Sequence, residues 1–265
     1  MAQRINIWTV QQRKQQAQPV VMVTAYDASF ARLVDELVDV ILVGDSLGNV
    51  IQGHETTLPV SLEEMEYHVR CVARGSRRAL IVGDLPFGSY QSSVELGMLS
   101  SERLMRAGAH AVKLEGGAHQ AELVTKLVAN GIPVMGHLGL TPQSVHALGG
   151  YRVQGRTEAS AAQIRRDALL LQQAGVFSLV LECVRSDVAK EVSASLDVPT
   201  IGIGAGPDCD GQVLVLHDML GLSQPPHPKF VKVFEDLGER TKSAMQQYAE
   251  EVRTRRFPAS EHSFD

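Results

Sequence analysis

HAVKLEGG, residues 110–117, is the stretch on which the fold turns. Side chains alternate faces along a strand, so Val112 and Leu114 share one face while Lys113 and Glu115 share the other. On its N-terminal side lies SSERLMRAGA, a helical stretch closed by Gly108. On its C-terminal side lies HQAELVTKLVANG, a second helical stretch ended by Gly131 and Pro133. The local pattern is helix, strand, helix. Two ionisable groups stand on one face of a strand that reads as covered on both sides, where charge is costly without compensation.

The same pattern recurs along the chain. Apolar, β-branched runs begin at Val20 (VVMVTAYD), Val38 (VDVILVGDS), Ala79 (ALIVGDLP), Ile132 (IPVMGHLG), Ser178 (SLVLECV), Val198 (VPTIGIGAG) and Gln212 (QVLVLHDM). Most are near-continuous, as strands buried on both faces are. Helical stretches separate them, among them SLEEMEYHVRCVARG, where Ser61 and Glu64 form a capping box. Alternation of this kind implies parallel strands, and eight units in about 250 residues fit a (β/α)8 barrel. A doubly wound open sheet is the alternative. GPDCDG, between the last two strands, is too short for a helix, and LGNVIQGHETTLPV after the second strand is a long loop. A short amphipathic N-terminal helix and a C-terminal helix over KFVKVFEDLGERTKSAMQQYAEEVRTRR complete an expected single domain spanning 1–265.

Bulk properties exclude several classes. A net charge of −5 gives no footprint for nucleic acid or an anionic membrane. No apolar run reaches the length of a spanning helix. Three scattered cysteines, without a CxxC pair, suit a reducing compartment, so a cytoplasmic protein is expected. GIGAG at 202–206 lacks the spacing and following helix of a dinucleotide site.

The ionisable residues fall at strand ends: Asp27, Asp45, Asp84, Glu115, His137 and Glu182, in strand order. In a barrel these ends share the rim that carries active sites. Asp27 is equally well read as the cap of the following helix. Asp45, Asp84 and Glu115 end three adjacent strands, and carboxylates converging there repel unless a cation joins them. Hard oxygen donors suit Mg²⁺; three separate ion pairs are the plainer reading. Lys113 could neutralise a carboxylate or hold an anionic substrate. His137 has no HxH or HExxH partner that would make a zinc site. Glu182, in an apolar strand across the barrel, is the candidate general base.

TAYD, LVGDSLG, TTLPV, DLPF, VKLEGG, GHLGLTPQS, GGYRVQGR, LVLECV, IGIGAG and CDGQVLVLHDMLG, in this order over nearly the whole chain, resemble the ketopantoate hydroxymethyltransferases. The resemblance implies a barrel of the phosphoenolpyruvate/pyruvate type. It implies hydroxymethyl transfer from 5,10-methylenetetrahydrofolate to 3-methyl-2-oxobutanoate, with Mg²⁺ and a homodecamer. By position, Asp45, Asp84 and Glu115 match metal-site carboxylates. Asp45, Ser46, Asp84, Lys113 and His137 match the oxoacid pocket, and Glu182 matches the proton acceptor. Asn49, Glu55 and Ala28 depart from the family pattern outside that set. The rivals are a Mg²⁺-dependent 2-oxoacid carbon–carbon lyase on the same barrel and a non-catalytic oxoacid-binding barrel.

Overall fold

A computed structural model of the chain describes residues 4–223 and 226–264. It contains two compact units, Met1–Val215 and Leu216–Asp265. In the first, eight parallel strands close into a barrel in sequence order. They are β1 (Val20–Thr24), β2 (Val40–Val43), β3 (Leu80–Asp84), β4 (Ala111–Glu115), β5 (Val134–Gly139), β6 (Ser178–Glu182), β7 (Thr200–Ile203) and β8 (Gly211–Leu214). Every residue of β2, β3 and β4 is buried, which is why these runs lack polar alternation.

Helices α1 (Ile7–Gln15), α2 (Ala28–Val34), α3 (Leu47–Val50), α4 (Leu62–Gly75), α5 (Val94–Ala107), α6 (Ala121–Ala129), α7 (Glu158–Ala174) and α8 (Ser186–Ser195) belong to this unit. Their boundaries follow local chemistry. Ser61 caps α4 in a capping box, its hydroxyl accepting from Glu64 N–H while its own N–H donates to Glu64 Oε2 at 2.7 Å. Gly108, at φ +114°, ends α5 in the left-handed region that glycine enters at least cost. Asp27 is a cap: its carboxylate accepts from Ser29 and Phe30 N–H, so the helix-cap reading holds and the residue is occupied structurally. The long loop after β2 contains α3, a single turn. The β7–β8 connection has no helix.

Helix α1, capped by Asn6, lies at the N-terminal ends of the strands. Val10 is fully buried there. Arg13 pairs with Asp39, just before β2, and Lys14 Nζ reaches Asp210 Oδ2 at 2.8 Å, just before β8. One helix thus ties an early strand to the last one.

The second unit holds α9 (Leu216–Met219) and α10 (Leu237–Arg253). The expected helix from Lys229 begins only at Leu237. Phe234 N–H donates to Met219 O and Leu237 N–H to Leu220 O, so these amides are taken by other backbone. The Asp236 carboxylate then accepts from Glu239 N–H and starts the helix there. Among the described residues, no helix is long and apolar enough to cross a membrane.

Removing the capping box tests the local account of α4. Ser61→Ala is expected to cost about 1 kcal/mol in urea unfolding, with the denaturant slope unchanged.

Candidate functional site

The centre of the site is the pairing of β3 with β4, which sets Asp84 beside Lys113. Lys113 Nζ donates to Asp84 Oδ1 at 2.6 Å, and the two side chains are 5% and 2% exposed. Asp45, one residue beyond Gly44 at the end of β2, is also buried, and its N–H lies 3.3 Å from Asp84 Oδ2. A Cβ on Gly44 would stand 3.0 Å from Ser46 Oγ and 3.6 Å from Asp84 Oδ2, so this glycine leaves room for both. Ser46 Oγ in turn shares a 2.9 Å hydrogen bond with the buried Tyr26 hydroxyl.

Burial dominates the charges here. It drives the Asp45 carboxyl well above the usual carboxylate range, with Asp84 and Glu115 adding repulsion. Burial also raises Asp84, though Lys113 opposes it. Burial alone would lower Lys113, yet Asp84, Glu115 and Asp45 together hold its ammonium charged.

The second half of the site is a row across β4, β5 and β6. Strand register puts Glu115 beside His137 and Gly139 beside Glu182. His137 Nδ1 is 3.3 Å from Glu115 Oε1, and Nε2 is 3.4 Å from Glu182 Oε2. Neither nitrogen attains hydrogen-bond geometry, although both are buried. Burial and Lys113 push the imidazole down, but the flanking carboxylates outweigh them and raise it to about 9. Glu182 is the more open end of the row, its side chain 17% exposed against 2% for His137. The chain leaves β6 through Cys183 at φ +47°, unusual for a residue with a Cβ, beside Gly139 at φ +95°. A Cβ on Gly139 would overlap the Glu182 carbonyl oxygen, so glycine is required for β5 to pass this close.

The expected residues Asp45, Ser46, Asp84, Glu115 and Glu182 therefore lie at the C-terminal ends of β2, β3, β4 and β6 or just beyond, with Lys113 and His137 two residues inward of the ends of β4 and β5. Three further residues belong with them and were not singled out from the sequence. Gln143 donates from Nε2 to Asp45 Oδ2 at 2.9 Å, and from its backbone N–H to Glu115 Oε2 at 3.0 Å. The Tyr90 hydroxyl donates to Gln143 Oε1 at 2.8 Å and accepts from Glu115 N–H. Tyr151, on the loop after β5, is 55% exposed; its partial burial and then the Glu182 charge raise its phenol. The only sequence signal for Gln143 was its place in GHLGLTPQS. A cavity of about 360 Å³ at this rim is lined by Phe87, Tyr90, Glu115, His119, Gln143 and Asp167, among others.

Among the described residues, no three Asp, Glu, His or Cys side chains are set to ligate one ion between them. Asp45, Asp84 and Glu115 form no all-protein cage. Mg²⁺ asks for less, one or two carboxylates with waters and substrate oxygens completing the shell. The buried, mutually repelling Asp45 and Asp84 fit a site completed by a cation and an oxygen-rich ligand.

Fold and site together define a class, an α/β-barrel protein with a buried, charge-dense centre at the strand C-termini. Phosphonopyruvate hydrolase superposes with a TM-score of 0.63 at 11% identity, over 99% of this chain and 92% of that one. 2,3-Dimethylmalate lyase gives 0.59 at 16%, over 96% and 89%. These likenesses concern the barrel alone. The ketopantoate hydroxymethyltransferase profile matches residues 4–260, and the chain belongs to that family. It is 54% identical to the 3-methyl-2-oxobutanoate hydroxymethyltransferase of Magnetococcus marinus over the full length of both chains. It is 55% identical to that of Thiobacillus denitrificans, over 98% of this chain and 99% of the relative.

The His137 row has a pH signature. The folded imidazole titrates near 9, against about 6.5 when unfolded. Its contribution to stability is therefore complete below about 6.5 and is lost as pH rises through 9. NMR titration of the metal-free protein is expected to place the His137 midpoint near 9, and Glu182→Gln to move it downward.

Proposed function

We propose that the protein transfers a hydroxymethyl group from 5,10-methylenetetrahydrofolate to 3-methyl-2-oxobutanoate, giving 2-dehydropantoate for pantothenate synthesis. The observation that carries this reading is Glu182, a partly open carboxylate beside a buried His137, on the same rim as Lys113, Asp45 and Asp84. That arrangement offers a base at one side of the mouth and anion-holding groups at the other. The names of the curated relatives support the same reaction.

Each residue then has a task. Lys113 spends one of its three N–H donors on Asp84 and keeps others for an oxoacid oxygen. The Ser46 hydroxyl, oriented by Tyr26, holds a second oxygen. Asp45, Asp84 and Glu115 would hold Mg²⁺ together with waters and substrate oxygens, and the ion when bound would supply Lewis acidity toward a 2-oxoacid. Glu182 takes the proton from C3, and His137 holds that carboxylate in place. C3 forms a bond to the methylene carbon of the cosubstrate as both C–N bonds of that carbon to the folate break in turn. Water supplies the hydroxyl, and the C3 proton and the second water proton end on the two folate nitrogens as tetrahydrofolate leaves. Burial of every group except Glu182 and Ser46 keeps bulk water from the charged centre.

The rim cavity beside Glu115 and Gln143 falls in the size range of small-ligand sites and is the place we assign to the folate cosubstrate. We also propose a cytoplasmic homodecamer. Helix α10 has no buried residue, and Met245, Tyr248 and Val252 on it are exposed, which supports a role in joining subunits.

The test needs no folate. 3-Methyl-2-oxobutanoate in D₂O, followed by NMR, is expected to lose its C3 proton signal in the presence of protein and Mg²⁺. Glu182→Gln is expected to slow that loss by about 10²- to 10⁴-fold. Full exchange in the variant would remove Glu182 from the role of base.

A further inference from the structure

Gln143 touches two of the carboxylates assigned to the cation, yet the mechanism above gives it no task. It is 5% exposed and comes from the loop after β5, far in sequence from Asp45. Its hydrogen bonds use every polar atom of the side chain. Nε2 donates to Asp45 Oδ2 and to the Leu85 carbonyl, each at 2.9 Å. Oε1 accepts from the Tyr90 hydroxyl at 2.8 Å and from Gln91 Nε2 at 3.0 Å. A carbonyl only accepts, so the Leu85 contact forces the NH₂ group toward Asp45 and forbids the flipped amide. Tyr90 is itself fixed, because its hydroxyl accepts from Glu115 N–H at 3.1 Å.

The backbone of the same residue holds the other carboxylate: Gln143 N–H donates to Glu115 Oε2 at 3.0 Å. Two carboxyl groups are thus gripped by donors from one residue, with no added positive charge. The Lys113 ammonium donates to Asp84 rather than to either of these two carboxyls. Glu115 also has His137 Nδ1 at 3.3 Å, whereas the Asp45 carboxyl has Gln143 as its side-chain hydrogen-bond donor, so Asp45 depends on it the more.

We infer that Gln143, locked by Tyr90, is a positioning residue that fixes the rotamers of Asp45 and Glu115 so that their remaining lone pairs face one divalent cation. The inference rests on the metal assignment of the preceding subsection. It gives the loops carrying Tyr90, Gln91 and Gln143 a role in metal affinity beyond closing the rim. Groups that orient metal ligands typically change metal affinity by about 10- to 100-fold when removed.

The test uses Mn²⁺ as the probe, with free Mn²⁺ counted by electron paramagnetic resonance and no substrate present. Wild type, Gln143→Leu and Tyr90→Phe are compared, with melting temperatures as the control for folding. Gln143→Leu is expected to raise the Mn²⁺ Kd by about ten-fold, and Tyr90→Phe by about three-fold. In turnover, KM for Mg²⁺ is expected to rise while kcat at saturating Mg²⁺ stays near wild type. If Gln143→Leu does not fold, Tyr90→Phe decides by itself, since it keeps the ring. Wild-type Kd values in folded variants, with only a lowered melting temperature, would reduce Gln143 to a loop tie and overturn the inference. A wild type that binds no Mn²⁺ would overturn the metal assignment as well, so the two failures are separable.

Discussion

The ion pair between Lys113 and Asp84 governs the architecture of the site. Both side chains are buried, and a single charge left there would cost several kcal/mol. The pair forms because β3 and β4 are parallel neighbours whose register sets Asp84 against Lys113. Everything else is arranged around that constraint. Asp45 and Glu115 add negative charge that Lys113 cannot cancel alone, and His137 sits between Glu115 and Glu182 for the same reason. The barrel has concentrated charge in the driest part of its rim, a cost that a purely structural core would avoid.

The division of the rim follows from which strand supplies which residue. Strands β2, β3 and β4 bring carboxylates and a lysine, whereas β5 and β6 bring an imidazole and the more open Glu182. The lysine with its carboxylates and the more open Glu182 therefore face one mouth from different directions. Glycine at position 139 and the left-handed Cys183 set the angle at which Glu182 enters. These backbone conformations are strained exactions of the local fold rather than of side-chain packing.

Much of this was legible in the sequence. Near-continuous apolar runs gave the strands, because a strand covered on both faces leaves no polar alternation. Ionisable residues at the ends of those runs pointed to Asp45, Asp84, Glu115, His137 and Glu182, because so many consecutive strands ending this way exceed what turn and capping chemistry alone would place there. Gln143 and Tyr90 stayed hidden. They lie in loops without periodicity, and their importance comes from hydrogen bonds across long sequence separations. The start of α10 was misplaced for a related reason: the amides of Phe234 and Leu237 are drawn off by Met219 and Leu220, a pairing that propensity does not encode. Asp27 shows the converse, a strand-end acid whose local chemistry as a cap was sufficient.

Helix α1 has a consequence for the order of assembly. Lys14 meets Asp210 across 196 residues of chain, and Asp210 also accepts from Thr200 N–H. That contact exists only once the last strand has arrived beside the first. Loop closure over such a span is entropically costly before other contacts repay it, so the Lys14 tie closes late on a nearly complete barrel, whereas Arg13 meets Asp39 only 26 residues away and needs no such closure.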